Sequence, residues 1–229
     1  DRVGGRTTTL EHDGFRFDLG PTFFLFPQVL ETIFEACGRS LHDEVELIRL
    51  DPHYRLKFED GTDLLARPEV ADLEREIARL SPQDATGVRR FMAENRGKLE
   101  AFQPILESPF NGLSDVMRLP LAKLLPLMRP WASVDRDLQR YFSDPRIRLA
   151  FSFQSKYLGM SPFQCPSLFT ILSFIEYEHG VYHPRGGCGA LSAAMARVAE
   201  DMGVEIRLNE PVREVLFEGR RATGVRTDE

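Results

Sequence analysis

Cysteine is scarce: Cys37, Cys165 and Cys188 are the three in 229 residues. An odd, widely spaced set without a C-x-x-C argues against both a disulfide framework and a zinc site, and a reducing compartment fits it best. No apolar run approaches the roughly 20 residues that a membrane-spanning helix needs, and no signal-peptide pattern is present. The five histidines, His12, His42, His53, His179 and His183, include no H-E-x-x-H, so no protein-held metal is expected. G-x-S-x-G is missing, which removes the commonest hydrolase signal. Basic charge is not in excess, since 29 Lys and Arg face 35 Asp and Glu for a net charge of −6. With the two signs interspersed there is no broad basic face, and nucleic acid is not an expected partner. Internal repeats and low-complexity segments are also lacking.

What is present suits a folded core. Hydrophobic residues make up 42% of the chain, 17 of them Phe, and the length suits one large or two small domains at roughly 100–200 residues each. Thr7–Leu10 and Phe15–Leu19 have strand character, with His12-Asp13-Gly14 as the turn of a hairpin. Pro27 opens a helix with Val29, Leu30, Ile33, Phe34 and Cys37 on its apolar side, and Gly38 ends it. Val45–Leu50, Tyr54–Phe58 and Thr62–Leu65 read as three strands of a half-buried sheet. Helices are expected over Glu69–Leu80 and from Pro82 to about Glu107, with alternating charges that mark a solvated face. Ser133 caps a helix to Phe142, Asp144-Pro145 starts another, and Pro166 starts a strongly apolar third that Gly180 breaks. Leu191–Met202 has an amphipathic helical pattern, followed by strands at Val204–Leu208, Val212–Phe217 and Ala222–Thr227.

The most informative stretch is the first. In Val3-Gly4-Gly5-Arg6 a glycine pair sets bare amides beside a fixed cation, a combination suited to phosphate, although an isolated Gly-Gly-Arg serves equally as a tight turn with a surface Arg. Three strings extend the pattern. They are Gly14-Phe15-x-Phe17-Asp18-x-Gly20-Pro21-Thr22, then Ala150-Phe151-Ser152-Phe153-Gln154-Ser155 through Gly159-x-x-Pro162-Phe163, then Gly180-Val181-Tyr182-x-Pro184-Arg185-Gly186-Gly187-x-Gly189-Ala190-Leu191.

In this order and spacing the strings resemble the phytoene desaturase branch of the flavin-dependent amine oxidase superfamily, over nearly the whole chain. The resemblance implies a mixed α/β (α+β) architecture, part of a two-domain FAD-binding oxidoreductase fold. Residues 1–26 and 183–229 would belong to the FAD-binding domain, and residues 27–182 to a mixed-sheet and helical domain for substrate and membrane. FAD is the implied cofactor. Gly4, Gly5 and Arg6 would lie against its diphosphate and ribityl region, and Gly20, Pro21 and Thr22 beside the flavin ring. Arg185, Gly186 and Gly187 would form the turn before a helix that supports the ring, with Arg185 near a flavin or phosphate oxygen. A Gly-rich helix start is the other reading of that turn. Val212 matches a strand valine whose backbone meets the adenine in the wider superfamily, and is otherwise an ordinary strand residue. The family's G-x-G-x-x-G turn is not in the chain, so an internal fragment of a longer protein is expected.

The implied activity is desaturation of a long apolar isoprenoid by hydride transfer to flavin, as in carotenoid biosynthesis, with the cofactor carrying the redox chemistry. The Phe-rich helices between Phe142 and Phe174 would form an apolar tunnel for it, and the sheet over residues 45–65 would line a cavity. Asp144 and Arg148, at i, i+4, are the candidate catalytic residues. Paired and facing the cavity, they could assist proton loss; facing water, they form a weak surface bridge. The alternatives are another oxidoreductase of the superfamily (an amine oxidase, a retinol saturase or a carotenoid isomerase) or a non-catalytic isoprenoid-binding protein. The leucine-rich segment from Met117 to Trp131 carries only basic charges and three prolines. It suits either a bilayer interface, where Lys and Arg snorkel, or a buried connector. Because the resembling enzymes act on lipid-dissolved substrates, a cytoplasmic protein peripherally bound to membrane is expected. Nothing in the sequence sets the oligomeric state.

Overall fold

A computed structural model of the chain describes residues 1–109, 111 and 121–228, excluding the side chains of 121–124. It has two compact units, Asp1–Ile48 with Tyr182–Glu229, and Arg49–Val181. Residues 27–48, grouped by the resemblance with the substrate domain, thus belong to the first unit.

In the first unit a 3-10 turn, Gly5–Thr7, leads into an antiparallel hairpin of β1 (Thr9–His12) and β2 (Phe15–Asp18). Asp13 and Gly14 both take positive φ, the backbone that a two-residue hairpin turn requires. The register sets Thr9 opposite Asp18. After β3 (Phe24–Leu25) come α1 (Gln28–Ala36), α2 (Leu41–Glu44) and β4 (Leu47–Arg49). The apolar side of α1 is only partly covered: Phe34 is buried, whereas Val29 and Ile33 are exposed. Its stripe is wider than the surface packed against it.

The second unit begins with the hairpin β5 (Tyr54–Lys57) and β6 (Asp63–Ala66), paired from Tyr54↔Ala66 to Lys57↔Asp63. The single sheet expected over residues 45–65 is therefore split, because β4 joins another sheet. Next come α3 (Val70–Leu80), a 3-10 turn at Pro82–Asp84, α4 (Gly87–Leu106), α5 (Leu121–Met128), α6 (Val134–Leu138) and α7 (Pro145–Ala150). The 3-10 segments Phe153–Leu158 and Ser167–Thr170 precede α8 (Ile171–His179). Leu73 and Ile77 of α3 are fully buried against Leu64, Ala66 and Phe91, while Arg75 and Arg79 pair with Asp72 and Glu76 on the outer face. That is the amphipathic division the charge pattern announced. Residues 112–120, and with them Met117–Pro120 of the leucine-rich segment, lie outside the described residues. No helix among the described residues is long and apolar enough to cross a membrane.

Three of the phenylalanines expected to wall a tunnel fill the core instead, while Phe163 is exposed. Phe142, Phe151 and Phe174 are each 1% exposed, and Phe151 stacks 4.6 Å from Phe142 and 4.9 Å from Phe91, the latter edge-on. Rings at these separations attract one another and leave no channel between them.

Asp84, expected at the start of the long helix, serves α7 instead. Its buried carboxylate accepts from the backbone N–H and hydroxyl of Ser143, from the Asp144 N–H (each 2.8 Å) and from the Ser81 hydroxyl (2.9 Å). Burial raises its pKa, but these donors outweigh burial and hold it below the ordinary value. A carboxylate with a depressed native pKa adds stability above its unfolded pKa, and that stability is lost as pH falls through the native one. Asp84→Asn is accordingly expected to be less stable than the parent near neutrality, by about 1–3 kcal/mol. The gap should narrow on acidification below about pH 4 in parallel denaturation curves. A gap that does not change with pH would rule out the ionised cap.

The chain re-enters the first unit through β7 (Val181–Pro184), which lies between β3 and β4 in a three-stranded sheet. Helix α9 (Cys188–Asp201) buries Ala194 and Val198 against Phe34, Leu41 and Val45. The hairpin β8 (Glu214–Glu218) and β9 (Arg221–Arg226) follows. Val204–Leu208, expected as a strand, has none of the ladder bonds of one among the described residues. A β-propensity run forms a strand only where a neighbour takes its amides and carbonyls.

Candidate functional site

Three of the motifs meet in the first unit. Gly4 (φ 105°) and Gly5 (φ 52°) open the 3-10 turn, and a Cβ on Gly20 would overlap the carbonyl oxygen of Arg6. Glycine is thus required at position 20 by close approach, and it seats the Gly-Pro-Thr segment on the Gly-Gly-Arg turn. The Thr8 carbonyl accepts from the Leu19 N–H (3.0 Å). Thr7 ties the turn to α9, its hydroxyl lying 2.6 Å from that of Ser192. Thr22 is tied to β7, its carbonyl accepting from His183 Nδ1–H at 2.8 Å. That bond fixes the tautomer of His183 whenever the ring is neutral.

The Pro-Arg-Gly-Gly turn completes the group. Gly187 (φ 86°, ψ 174°) precedes α9, and the cap of that helix comes from a distant strand: Asp18 Oδ2 accepts from the Cys188 N–H at 3.3 Å. Thr9 donates to Asp18 Oδ1 (3.1 Å), as the hairpin register allows. Thr9, Arg16, Asp18, His183, Gly186 and Gly187 enclose a cavity of about 240 Å³. Thr9 and His183 were not singled out from the sequence. Asp18 stood within the Phe-Asp-x-Gly string, but its capping role depends on a helix 170 positions away.

Charge divides this site into two ends. At the Gly-Pro end, Asp18 already satisfies the start of α9, and Arg185 is clasped by both carboxylate oxygens of Glu46, with its own N–H bonded to the Glu46 carbonyl (2.9 Å). Arg185, expected near a flavin or phosphate oxygen, is thus paired in this structure with Glu46, the residue just before β4. With Glu46 paired to Arg185, the Asp18 carboxylate is an acceptor at this end suited to groups that donate hydrogen bonds. The Gly4-Gly5-Arg6 end is the opposite. Arg6 is exposed, and the space above Gly5 is open. The exposed cation and open glycine backbone suit an anionic group such as a diphosphate, and the Asp18 carboxylate suits a group that donates hydrogen bonds.

The remaining candidates lie elsewhere. Val212 is exposed, just before β8. Asp144 and Arg148, expected to pair with each other, take different partners. Asp144 caps α7, accepting from the Arg146 N–H (2.8 Å), and its carboxylate pairs with the Arg146 guanidinium at 2.7 Å. Arg148 reaches Asp135 (3.2 Å) and the Ser143 carbonyl (2.6 Å). A carboxylate turned back to cap its own helix is drawn to the first-turn cation at i+2, away from i+4. In the basic segment Arg129 bonds Asp137 at 2.5 Å, so it is an internal ion-pair partner and not a snorkelling cation.

Comparison with known proteins gives the family of the chain. The chain is 39% identical over 224 residues to a 4,4'-diapophytoene desaturase (4,4'-diapolycopene-forming) of Methylomonas sp, covering 98% of the chain and 44% of that protein. It is 37% identical to a lycopene-forming phytoene desaturase of Pseudescherichia vulneris, covering 99% and 46%. The chain thus spans just under half the length of these relatives. Among solved structures it is similar to an oxidoreductase from Methanosarcina mazei (TM-score 0.59, 19% identity, 98% of the chain and 47% of that structure). A redesigned putrescine oxidase shares the fold at TM-score 0.58 and 21% identity, over 100% and 47%. The family model for flavin containing amine oxidoreductase matches residues 1–229, and the chain belongs to that family of FAD-dependent oxidoreductases.

Proposed function

We propose that the protein carrying this chain is an FAD-dependent desaturase of a long apolar isoprenoid such as phytoene. The observation that carries this reading is the joining of the Gly-Gly-Arg, Gly-Pro-Thr and Pro-Arg-Gly-Gly strings into one site, in a chain matched along almost its full length by carotenoid desaturases. Bound FAD would supply the hydride acceptor. The chain's part is to hold it: Gly4, Gly5 and Arg6 at the diphosphate, Gly20 keeping the two segments in contact, and Asp18 with Gly186 and Gly187 orienting the donor-rich part. Asp144 and Arg148 act in this reading as fixed polar groups, since a cap and a clasp hold them. A strong protein base is not required, because conjugation in the substrate spreads developing positive charge.

The test is product analysis. The protein, reconstituted with FAD and given phytoene in liposomes, should form a product with a longer conjugated absorption. Flavin reduction by an amine, with no new conjugation from phytoene, would overturn the reading.

Peripheral attachment to a membrane is part of the same proposal. Leu125 and Trp131 are exposed, 43% and 73%, beside the basic segment. Leu125→Asp with Trp131→Ala should reduce flotation with liposomes, and unchanged flotation would remove this interface.

A further inference from the structure

Glu176 of α8 is fully buried, and its partners are all uncharged. Tyr54 donates to Oε2 (2.8 Å), Gln154 Nε2 donates to the same oxygen (2.8 Å), and Tyr157 donates to Oε1 (2.8 Å). The two phenols thus hold opposite oxygens of one carboxyl group. One phenol faces outward, since Tyr157 is 40% exposed; the other, Tyr54, faces inward against Phe153 and beside His53. The buried side-chain polar atoms without a hydrogen-bond partner among the described residues are His53 Nδ1 and Nε2, Gln154 Oε1 and Tyr177 Oη. All belong to residues around this carboxyl: the His53 ring lies 5.8 Å from Tyr177 and 6.4 Å from Tyr54, and Gln154 bonds Glu176 itself. Such a concentration of buried donors and acceptors is what enclosed water satisfies.

We propose that Glu176 is a buried proton-exchange site, connected to solvent through Tyr157 and, through Tyr54 and enclosed water, to His53 and Tyr177. In the outward step the Glu176 O–H bond breaks as its proton passes to the Tyr157 oxygen, while Tyr157 gives its own proton to a solvent water. No electrons move, and the phenol is restored. Burial raises the Glu176 pKa against the pull of its three donors and of Lys156, and it raises Tyr54, Tyr157 and Tyr177 as well, so the phenols carry protons onward and do not ionise. Burial, with Arg49 nearby, lowers His53 to about 4, leaving it neutral with one ring nitrogen to donate and one to accept. On α8 itself Glu178 is paired with Arg96 of α4, and His179 follows it. The proposal rests on the desaturase reading only for its use, removal of the proton that a substrate carbon loses as a double bond forms.

The experiment needs neither flavin nor substrate, so its outcome is independent of that reading. Infrared difference titration of the 229-residue chain, assigned with Glu176→Gln, should show a protonated carboxyl persisting above the ordinary glutamate range. In Tyr157→Phe the deuterium exchange of that carboxyl should slow by about tenfold or more, and in Tyr54→Phe its titration should move up by about one pH unit, because a donor to the charged form is lost. Lys156→Met removes an exposed cation whose ammonium lies over the Phe153 and Tyr157 rings (4.6 and 5.7 Å), and it should raise the titration point. A carboxyl that titrates in the ordinary range, or exchange in Tyr157→Phe as fast as in the parent, would overturn the proposal. Should Tyr157→Phe fail to fold, an unmoved titration point in Lys156→Met would do the same.

Discussion

Asp137→Ala is expected to cost the Arg49–Val181 unit about 3–5 kcal/mol, read as a large fall in its denaturation midpoint by circular dichroism. The cause is the cation it would strand. Lys98 lies inside α4 with its side chain 2% exposed, 2.9 Å from an Asp137 carboxylate that is wholly buried. Thr170 gives the ammonium a second partner at 3.0 Å, and Arg129 (2.5 Å) and Arg140 (3.3 Å) also converge on Asp137. Removing the one carboxylate leaves Arg129 and Arg140 with Glu94 (3.7 and 3.0 Å) but leaves Lys98 with no carboxylate in a space with little water, and the low dielectric that strengthened the pair now penalises that ammonium. The companion double variant, Lys98→Met with Asp137→Leu, removes both buried charges and should recover most of the loss. Asp137→Ala within about 1 kcal/mol of the parent would mean that solvent reaches Lys98, against its burial. Because the pair joins α4 to α6, and Thr170 adds the segment before α8, the variant should also lower amide protection in all three places.

Gly187→Ala is expected to have the second large effect. At φ 86° and ψ 174° the backbone is in a region open in practice to glycine alone, which costs other residues about 1–3 kcal/mol. A Cβ there would also overlap the Asp18 carboxylate, with Cγ at 2.9 Å. Asp18 must then leave the first turn of α9, exposing the Cys188 N–H that it satisfies. Gly219→Ala is the control. It sits at φ 63° in the β8–β9 turn with nothing within 4 Å, so it carries backbone strain and no collision. Gly187→Ala should destabilise the chain more than the control and speed amide exchange at Cys188. It should also weaken flavin retention in the protein that carries the chain. Equal stability losses at the two positions would show that Asp18 does not depend on Gly187.

The parts of this protein legible in the sequence are those whose causes are local. The Asp13-Gly14 turn, the amphipathic face of α3 and the Pro27 helix start each follow from residues within a few positions, and each forms where expected. Failures of the local reading share a cause. Asp84 caps a helix about 60 positions on, Asp144 turns to Arg146, and Arg185 is taken by a glutamate 139 positions earlier. In each case several partners satisfied the local rules equally, and the choice fell to whichever group the packed chain brought within hydrogen-bond distance. Charge alternation misled in one place, because Lys98 belongs to a run that is otherwise solvated, and only the position of Asp137 explains its burial.

Family, cofactor class and the three site strings were set by residue order alone, because glycines at fixed spacing answer to the backbone geometry of a ligand cradle. The tertiary structure decided what each string touches. It seated Gly20 on the Arg6 carbonyl, gave the start of α9 to Asp18, put Phe142, Phe151 and Phe174, expected around a tunnel, into the core, and closed Glu176 between two phenols. Contacts between residues more than a hundred positions apart depend on packing, where one acid or ring competes with many like it, and no spacing along the chain settles that competition.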